Sequence, residues 1–224
     1  EKGSFVLSGR RTYADLFLKL SSDKDINQSK LYFYDVNLKG NYRLDSKNNL
    51  YLSGYFGKDM LGYSDVFRFG WGNAMASLRW NHLWSNRLFS NTNIIYSDYD
   101  YRVDVMQDSG DFIIASDIRS YELKHDFQFY ARPGNTWHFG MDLQQRRIRP
   151  AQLEAGEGAS VNSLSIDPRS AAELAFYASH EWSPLGWLKA IYGLRVTGFD
   201  LYRPAAGGQY LTLEPRASLN ARTG

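Results

Sequence analysis

Between Leu31 and Leu44 the chain reads LYFYDVNLKGNYRL, and alternate positions belong to two chemistries. Tyr32, Tyr34, Val36, Leu38, Tyr42 and Leu44 form one set, and Asp35, Asn37, Lys39, Asn41 and Arg43 form the other. Side chains on a β-strand point alternately to opposite sides, so this is a long strand with one apolar face and one charged face. A sheet of such strands suits a boundary between unlike solvents, with lipid outside and a wet lumen inside.

Composition agrees with that setting. The 224 residues suffice for one sizeable all-β domain. A mean hydropathy of -0.46 is typical of water-soluble chains, whereas an aromatic share of 16% is high. Transmembrane barrels combine the two, because only every second residue meets lipid. No apolar run approaches the roughly 20 residues of a membrane-crossing helix, which excludes a helical membrane protein. The net charge of +2 is balanced, and no basic stripe interleaved with stacking aromatics occurs, which argues against nucleic acid as a partner. Zero cysteines remove disulfide frameworks and thiolate metal sites. The chain opens at Glu1 with no methionine, charged n-region or apolar h-region. It reads as a mature or excised piece.

Strand patterning is expected near 4 to 18, 30 to 44, 49 to 58, 66 to 83, 88 to 104, 112 to 131, 136 to 148, 170 to 182, 187 to 201 and 210 to 222. The links Asp45 to Asn48, Ser85 to Arg87, Arg132 to Asn135 and Ser183 to Gly186 are short and rich in Asn, Gly, Pro or Ser, as tight hairpins require. Between them fall Ser21 to Ser29, Lys58 to Ser64, Met106 to Asp111, Pro150 to Arg169 and Arg203 to Gly208. The stretch from 150 to 169 has no hydrophobic period and reads as a mobile loop. Short turns on one side and longer loops on the other match the asymmetry of outer-membrane barrels.

Aromatic placement gives the sheet an orientation. Trp84, Trp137, Trp182 and Trp187 lie within three residues of a short turn, and Tyr42 and Tyr51 flank the turn at 45 to 48. An indole or phenol has an apolar body and a polar tip, and so favours the headgroup boundary. Tyr13, Tyr55, Tyr63, Tyr96, Tyr99, Tyr101 and Tyr202 collect at the opposite strand ends. The alternation itself recurs. Tyr121, Leu123, His125, Phe127 and Phe129 oppose Glu122, Lys124, Asp126 and Gln128; Trp137, Phe139, Met141 and Leu143 oppose His138, Asp142 and Gln144. Leu213, Pro215, Ala217, Leu219 and Ala221 oppose Glu214, Arg216, Ser218, Asn220 and Arg222. A soluble two-sheet sandwich also alternates, but its strands are usually about 5 to 6 residues long.

The segments SFVLSGRRTYADLF at 4 to 17, LYFYDVNLKGNYRL at 31 to 44, NNLYLSGYFGKD at 48 to 59, the aromatic-rich 71 to 101 and LEPRASLNAR at 213 to 222 carry a family resemblance. Together they are similar to the barrel of a TonB-dependent outer-membrane receptor, of the kind common in Bacteroidota. The resemblance implies an antiparallel up-and-down transmembrane β-barrel of 22 strands around an N-terminal plug, energised through TonB. About ten strands of that barrel are expected in this chain, from its first half. The plug, an energy-coupling box and a terminal aromatic strand are not visible. Residues 1–224 therefore read as one partial barrel domain of a Gram-negative outer membrane. Its implied partners are outer-membrane lipid, the plug and remaining strands of the same receptor, the TonB complex acting through that plug, a small solute and, in some systems, a surface lipoprotein.

Catalytic motifs fail on inspection. HEWSP at His180 to Pro184 lacks the second histidine of a zinc protease, GYFGKD at Gly54 to Asp59 has the wrong spacing for a phosphate loop, and no Gly-x-Ser-x-Gly elbow occurs. His82, His125, His138 and His180 are scattered over separate strands, and His138 alone falls in the lumen set as a ligand candidate. Asp98, Asp100, Asp104, Asp108 and Asp111 lack EF-hand spacing and read as a solvated acidic segment rather than a calcium site. Arg10, Arg11, Arg146, Arg147 and Arg149 suit either an anionic substrate or lipopolysaccharide phosphate, or pairing with acids on neighbouring strands or with the plug.

No catalytic residue, metal site or cofactor is assigned. The residues expected to face the lumen and plug are Asp35, Asn37, Lys39, Asn41, Arg43, Glu122, Lys124, Asp126, Gln128, Asp142, Glu214 and Arg216. The leading reading is the wall of an energy-coupled importer of a scarce solute. A complete ten-stranded outer-membrane enzyme or porin is the second; it requires the last strand to pair with the first. A soluble β-repeat binding module is the third, since the short turns recur after about 38 to 50 residues, near propeller periods.

Overall fold

Period-2 patterning is realised as ten antiparallel strands hydrogen-bonded in sequence order from β1 to β10, a single up-and-down sheet. The computed structural model describes residues 2–106, 110–159, 161–202 and 208–221. The strands are β1 (Gly3–Arg11), β2 (Lys30–Arg43), β3 (Asn48–Tyr63), β4 (Phe67–Ser85), β5 (Leu88–Val105), β6 (Phe112–Arg132), β7 (Asn135–Ala155), β8 (Arg169–Leu185), β9 (Leu188–Tyr202) and β10 (Gln209–Ala221). Two short helices, α1 (Ala14–Leu18) and α2 (Lys24–Gln28), occupy the first long connection. Strand lengths reach 21 residues in β6 and β7, and a single sheet of this length leaves no room for four-stranded propeller repeats. β1 and β10 each pair on one side only. The closed ten-stranded barrel, and with it the small-barrel enzyme or porin, is therefore not the architecture.

Ala175 is the one hydrophobic residue that is buried among those described, whereas Phe5, Leu52, Ile94, Phe176 and Leu213 are exposed. A sheet with no second layer has no interior of its own. Its apolar side chains pack against no second layer among the described residues, and β1 and β10 are the outer strands of the sheet.

Three two-residue turns alternate with longer connections. Residues 86–87, 133–134 and 186–187 join β4 to β5, β6 to β7 and β8 to β9. Gly134 sits at φ 72°, a left-handed conformation that glycine adopts without steric cost, and its carbonyl accepts a bond from the Ser183 amide at 2.7 Å. The fourth short link, 44–47, is tied by the Asp45 carboxylate, which accepts from the Lys47 amide at 2.7 Å and the Asn48 side chain at 2.8 Å.

The long-loop ends depart from several expectations. The strand expected over 4 to 18 stops at Arg11 and continues as α1. Ala14, Leu16 and Leu18 are good helix formers, Asp15 lies in the first turn where its charge suits the helix dipole, and Arg11 pairs with Asp15 at 3.2 Å across four residues. The connection from Ser21 to Ser29 holds α2, capped by Asp23, whose carboxylate accepts from the Asp25 and Ile26 amides. The strand expected to end at 58 runs to Tyr63, because Gly57 and Gly62 fit within a paired ladder, and the connection shrinks to 64–66. The loop expected from 150 begins instead as strand, with β7 reaching Ala155. Pro150, which has no amide to donate, sits where the β6–β7 register shifts. Beyond it the chain folds back, pairing Leu153 with Leu164 and Gln152 with the Ile166 carbonyl at 2.7 Å. Of the other connections, residues 107–109 and 203–207 lie outside the described residues, as does Arg222 at the expected end of the last strand.

Candidate functional site on the polar face

Register assigns every strand residue to one of two faces, since directly opposed residues project to the same side. One row passes from Asn41 through Tyr51, Arg79, Asn93, Lys124, Asp142, Ala175 and Thr197 to Thr212. The neighbouring apolar row passes from Gly40 through Leu52, Leu78, Ile94, Leu123, Leu143, Leu174 and Gly198 to Leu211. The register shifts in the ladder fall at strand ends, near Ser85, Ser116, Ala131 and Ser183. Parity is thus preserved across the middle of the sheet. All twelve residues singled out from sequence, Asp35 to Arg43, Glu122 to Gln128, Asp142, Glu214 and Arg216, project from the same face.

The opposite face is an apolar band with defined limits. On β5 it runs from Leu88 to Tyr96 and on β6 from Phe129 to Tyr121, paired residue by residue. Eight steps span about 26 Å of strand, or roughly 20 Å of height at a 40° tilt, to which the rings at each end add. At the short-turn end this face carries Trp80, Trp84, Trp137 and Trp182. Trp80 donates to Asn48 at 2.9 Å and Trp84 to the Ser90 hydroxyl at 3.0 Å. His180 stacks on Trp137 at 4.2 Å and bonds to the Tyr192 hydroxyl at 2.7 Å, while His82 bonds to Asn48 at 2.7 Å. These two histidines, with His125 beside Thr92 and Phe127, belong to the apolar face. Beyond Tyr96 and Tyr121 that face turns ionic: Asp98 pairs with Arg119 at 2.9 Å and Asp104 with Arg102 at 2.7 Å. Asp98 and Asp104 are thus held by arginine, and Asp108 lies outside the described residues.

Within the polar face, the β6–β10 half is a connected network. Arg195 reaches Glu173 at 3.4 Å and Asp142 at 3.6 Å, and its guanidinium lies 5.7 Å from the Tyr177 ring. Tyr177 crosses Gly140 to donate to Asp126, which also lies 4.0 Å from Lys124. A Cβ on Gly140 would collide with the His125 carbonyl and the Tyr177 hydroxyl, so the glycine is the groove in which the tyrosine lies. Thr197 donates to Glu214 at 3.3 Å, and Arg216 pairs with Glu214 at 2.9 Å. Gln128 donates to the Tyr130 hydroxyl at 2.5 Å. His138 stands in this face between Gln128 and Ser179, and no group of three metal-ligating side chains occurs among the described residues.

The β1–β5 half is built differently. Asp35, only 6% exposed, accepts from Arg10 at 2.5 Å and from Asn37 at 3.1 Å. Asn41 donates to Ser4 at 2.7 Å. Lys39 and Arg43 have no side-chain partner among the described residues, and Arg79 lies over Tyr51 at 4.3 Å. Of the arginines whose role the sequence left open, Arg10, Arg11 and Arg149 pair with Asp35, Asp15 and Asp117. Arg146 donates to Gln144 at 2.5 Å. Arg79, Glu173, Tyr177 and Arg195 are the members of the polar face that sequence reasoning missed. Their signal was present, since Arg195 and Thr197 alternate with Leu194 and Val196.

No family model and no curated protein matches the sequence. Solved structures do. The copper transporter OprC superposes with a TM-score of 0.70 at 13% identity, over 96% of this chain and 37% of its own. BauA, the ferric preacinetobactin receptor from Acinetobacter baumannii, gives 0.67 at 10% identity over 97% and 42%. The unliganded ferric citrate transporter FecA gives 0.65 at 12% identity over 86% and 33%. The chain thus spans about a third to two fifths of the length of these proteins. At such identities the likeness is one of fold: an antiparallel up-and-down sheet of the kind that forms part of their β-barrels.

Proposed function

We propose that the chain is part of the wall of an outer-membrane receptor that imports a scarce solute in a TonB-dependent, energy-coupled manner. The observation that carries this reading is the unbroken parity of the sheet, which keeps one face apolar between aromatic limits and the other ionic over ten strands. Likeness of fold to a copper transporter, a ferric citrate transporter and a ferric preacinetobactin receptor supports it. Residues 1–224 form one partial barrel domain, and further strands complete the edges at β1 and β10 towards a total of 22. The polar face, with Asp35, Asn37, Lys39, Asn41, Arg43, Glu122, Lys124, Asp126, Gln128, Asp142, Glu214 and Arg216, lines the lumen and contacts a plug. The apolar face meets outer-membrane lipid.

Transport of this kind makes and breaks no covalent bond. Solute binds at the long-loop end, and a plug held by hydrogen-bonding groups of the lumen rearranges when TonB acts on it. The solute is a chelated metal, cofactor, glycan or peptide. Uptake of labelled members of each class, compared between wild-type cells, cells lacking the full-length receptor and cells treated with a protonophore, tests this function. One class is expected to fall to background in both deficient conditions. Uptake that survives the protonophore contradicts energy coupling, and uptake of every class without the receptor contradicts the transport role.

A further inference from the structure

The apolar face of β2 ends, towards the long connections, in Tyr34 and Tyr32, whose rings stack at 6.5 Å. Arg11, the last ladder residue of β1, stands opposite Tyr34 on that face, and its guanidinium lies 5.3 Å from the Tyr32 ring and 5.4 Å from the Tyr13 ring. The chain therefore leaves the sheet on the apolar side, at its aromatic limit, and enters α1 there. Helical bonding continues past Leu18, since the amides of Lys19, Leu20 and Ser21 donate to the carbonyls of Asp15, Phe17 and Leu18. Over this stretch Tyr13, Leu16, Phe17 and Leu20 fall at i, i+3, i+4 and i+7, which makes them one stripe. All four are exposed, Phe17 at 75% and Leu20 at 81%. Ala14, Asp15 and Leu18, on the other side of the turn, are half-buried.

A connection bathed in water turns its apolar side chains inward and solvates its polar ones. Residues 12–29 do the reverse. Their acids are tied to protein: Asp15 to Arg11 at 3.2 Å, Asp23 to the Asp25 and Ile26 amides, and Asp25 to the buried Ser64 hydroxyl at 3.0 Å. Lys19 and Lys24 are exposed and have no carboxylate partner among the described residues. An outward apolar stripe rimmed by free cations suits a membrane interface, where rings and aliphatic side chains enter the acyl boundary and ammonium groups stay at the phosphates. We infer, on the strength of the wall reading above, that residues 13–20 lie in the lipid leaflet at the long-loop end as an interfacial anchor, with Lys19 and Lys24 on anionic headgroups. The occupant is lipid because the stripe is continuous, through Tyr13, Arg11 and Tyr32, with the face that meets lipid. A second protein is the weaker fit, since the stripe opens on that same side and not over the polar face.

Leu16→Cys, Phe17→Cys, Leu20→Cys, Leu38→Cys and Glu157→Cys, each spin-labelled in the full-length receptor in vesicles of phosphatidylcholine and phosphatidylglycerol, test the anchor through collisions with lipid-soluble oxygen and a water-soluble nickel chelate. Leu38 reports the lipid face, and Glu157 is an exposed residue of the 150–169 connection. The oxygen-to-nickel ratio at 16, 17 and 20 is expected several-fold above that at 157 and below that at 38. Omitting phosphatidylglycerol should lower the ratio at 17, and Lys19→Gln with Lys24→Gln should abolish that dependence; a ratio indifferent to phosphatidylglycerol overturns the lysine contacts. Ratios at 17 and 20 equal to that at 157, or labels there shielded from both reagents as under a protein cover, overturn the anchor, and a high ratio at 38 then leaves the wall reading standing. A ratio at 38 as low as that at 157, in receptor with the heat-dependent gel mobility of a folded barrel, overturns the wall reading itself.

Discussion

At the scale of single residues, parity decides the effect of a substitution. Leu38 and Lys39 are adjacent in sequence and lie on opposite faces. Leu38→Arg places a charge in the apolar band, at a cost of about 2 to 4 kcal/mol near mid-depth, whereas Lys39→Gln leaves the band untouched. Phe127 and Gln128 repeat the contrast on β6. Folding yields into lipid vesicles, read from heat-dependent mobility, should drop for Leu38→Arg and Phe127→Arg and stay near wild type for Lys39→Gln and Gln128→Ala. Equal yields for the two pairs would refute the assigned faces. Arg195→Met tests the network beside them. It leaves Asp142 and Glu173 without their shared cation and should lower stability by about 1 to 3 kcal/mol in denaturant titration. Gly140→Ala acts through sterics, since a Cβ meets the His125 carbonyl. It should displace Tyr177 and reduce folding yield further than Gly186→Ala, where nothing lies within 4 Å of the added carbon.

At the scale of elements, turns and helices show where sequence reasoning succeeded. The Asp45 carboxyl is held below the usual carboxylate range, first by the bond from the Lys47 amide and then by the Asn48 side chain. A group whose folded-state pKa is depressed contributes stability above its unfolded value of about 3.9, and that contribution disappears as pH falls through the folded value. Carbon-detected titration of Asp45 in the reconstituted receptor should give a midpoint below that value, and Asn48→Ala should move it upward. A midpoint at the unfolded value would show that the turn does not form as described. This turn and its three companions were legible because Asn, Pro and Gly have local reasons to be there. The helix at Ala14–Leu18 was not: YADLFL alternates well enough to pass for a strand, but the β1–β2 ladder ends with the Thr12 amide on the Phe33 carbonyl, although β2 itself continues to Lys30. The outer parts of β3 and β7 were hidden for the converse reason. Gly62 lies in an expected connection, and only a partner strand on either side makes it a ladder residue, while Pro150 is carried within β7 at a register shift against β6.

At the scale of the whole molecule, the two faces of Leu31 to Leu44 propagate across ten strands because register shifts are confined to strand ends. A shift in the middle would have exchanged the faces beyond it. That is why twelve scattered polar residues share one side, while Arg195, Tyr177 and Thr197, which join Asp142, Asp126 and Glu214 into a network, emerge only from pairing. The same pairing makes β1 and β10 the two outer strands of the sheet. The central claim, that this sheet divides lipid from a lumen, is tested most directly by spin-labelling positions 32 to 43 one at a time in the full-length receptor in bilayers. The 224 residues contain no cysteine to interfere. Even positions should collide with lipid-soluble oxygen and odd positions should be shielded from it, with a period of two across the strand. Oxygen access without that period, or greatest at Asp35, Asn37 and Lys39, would contradict it.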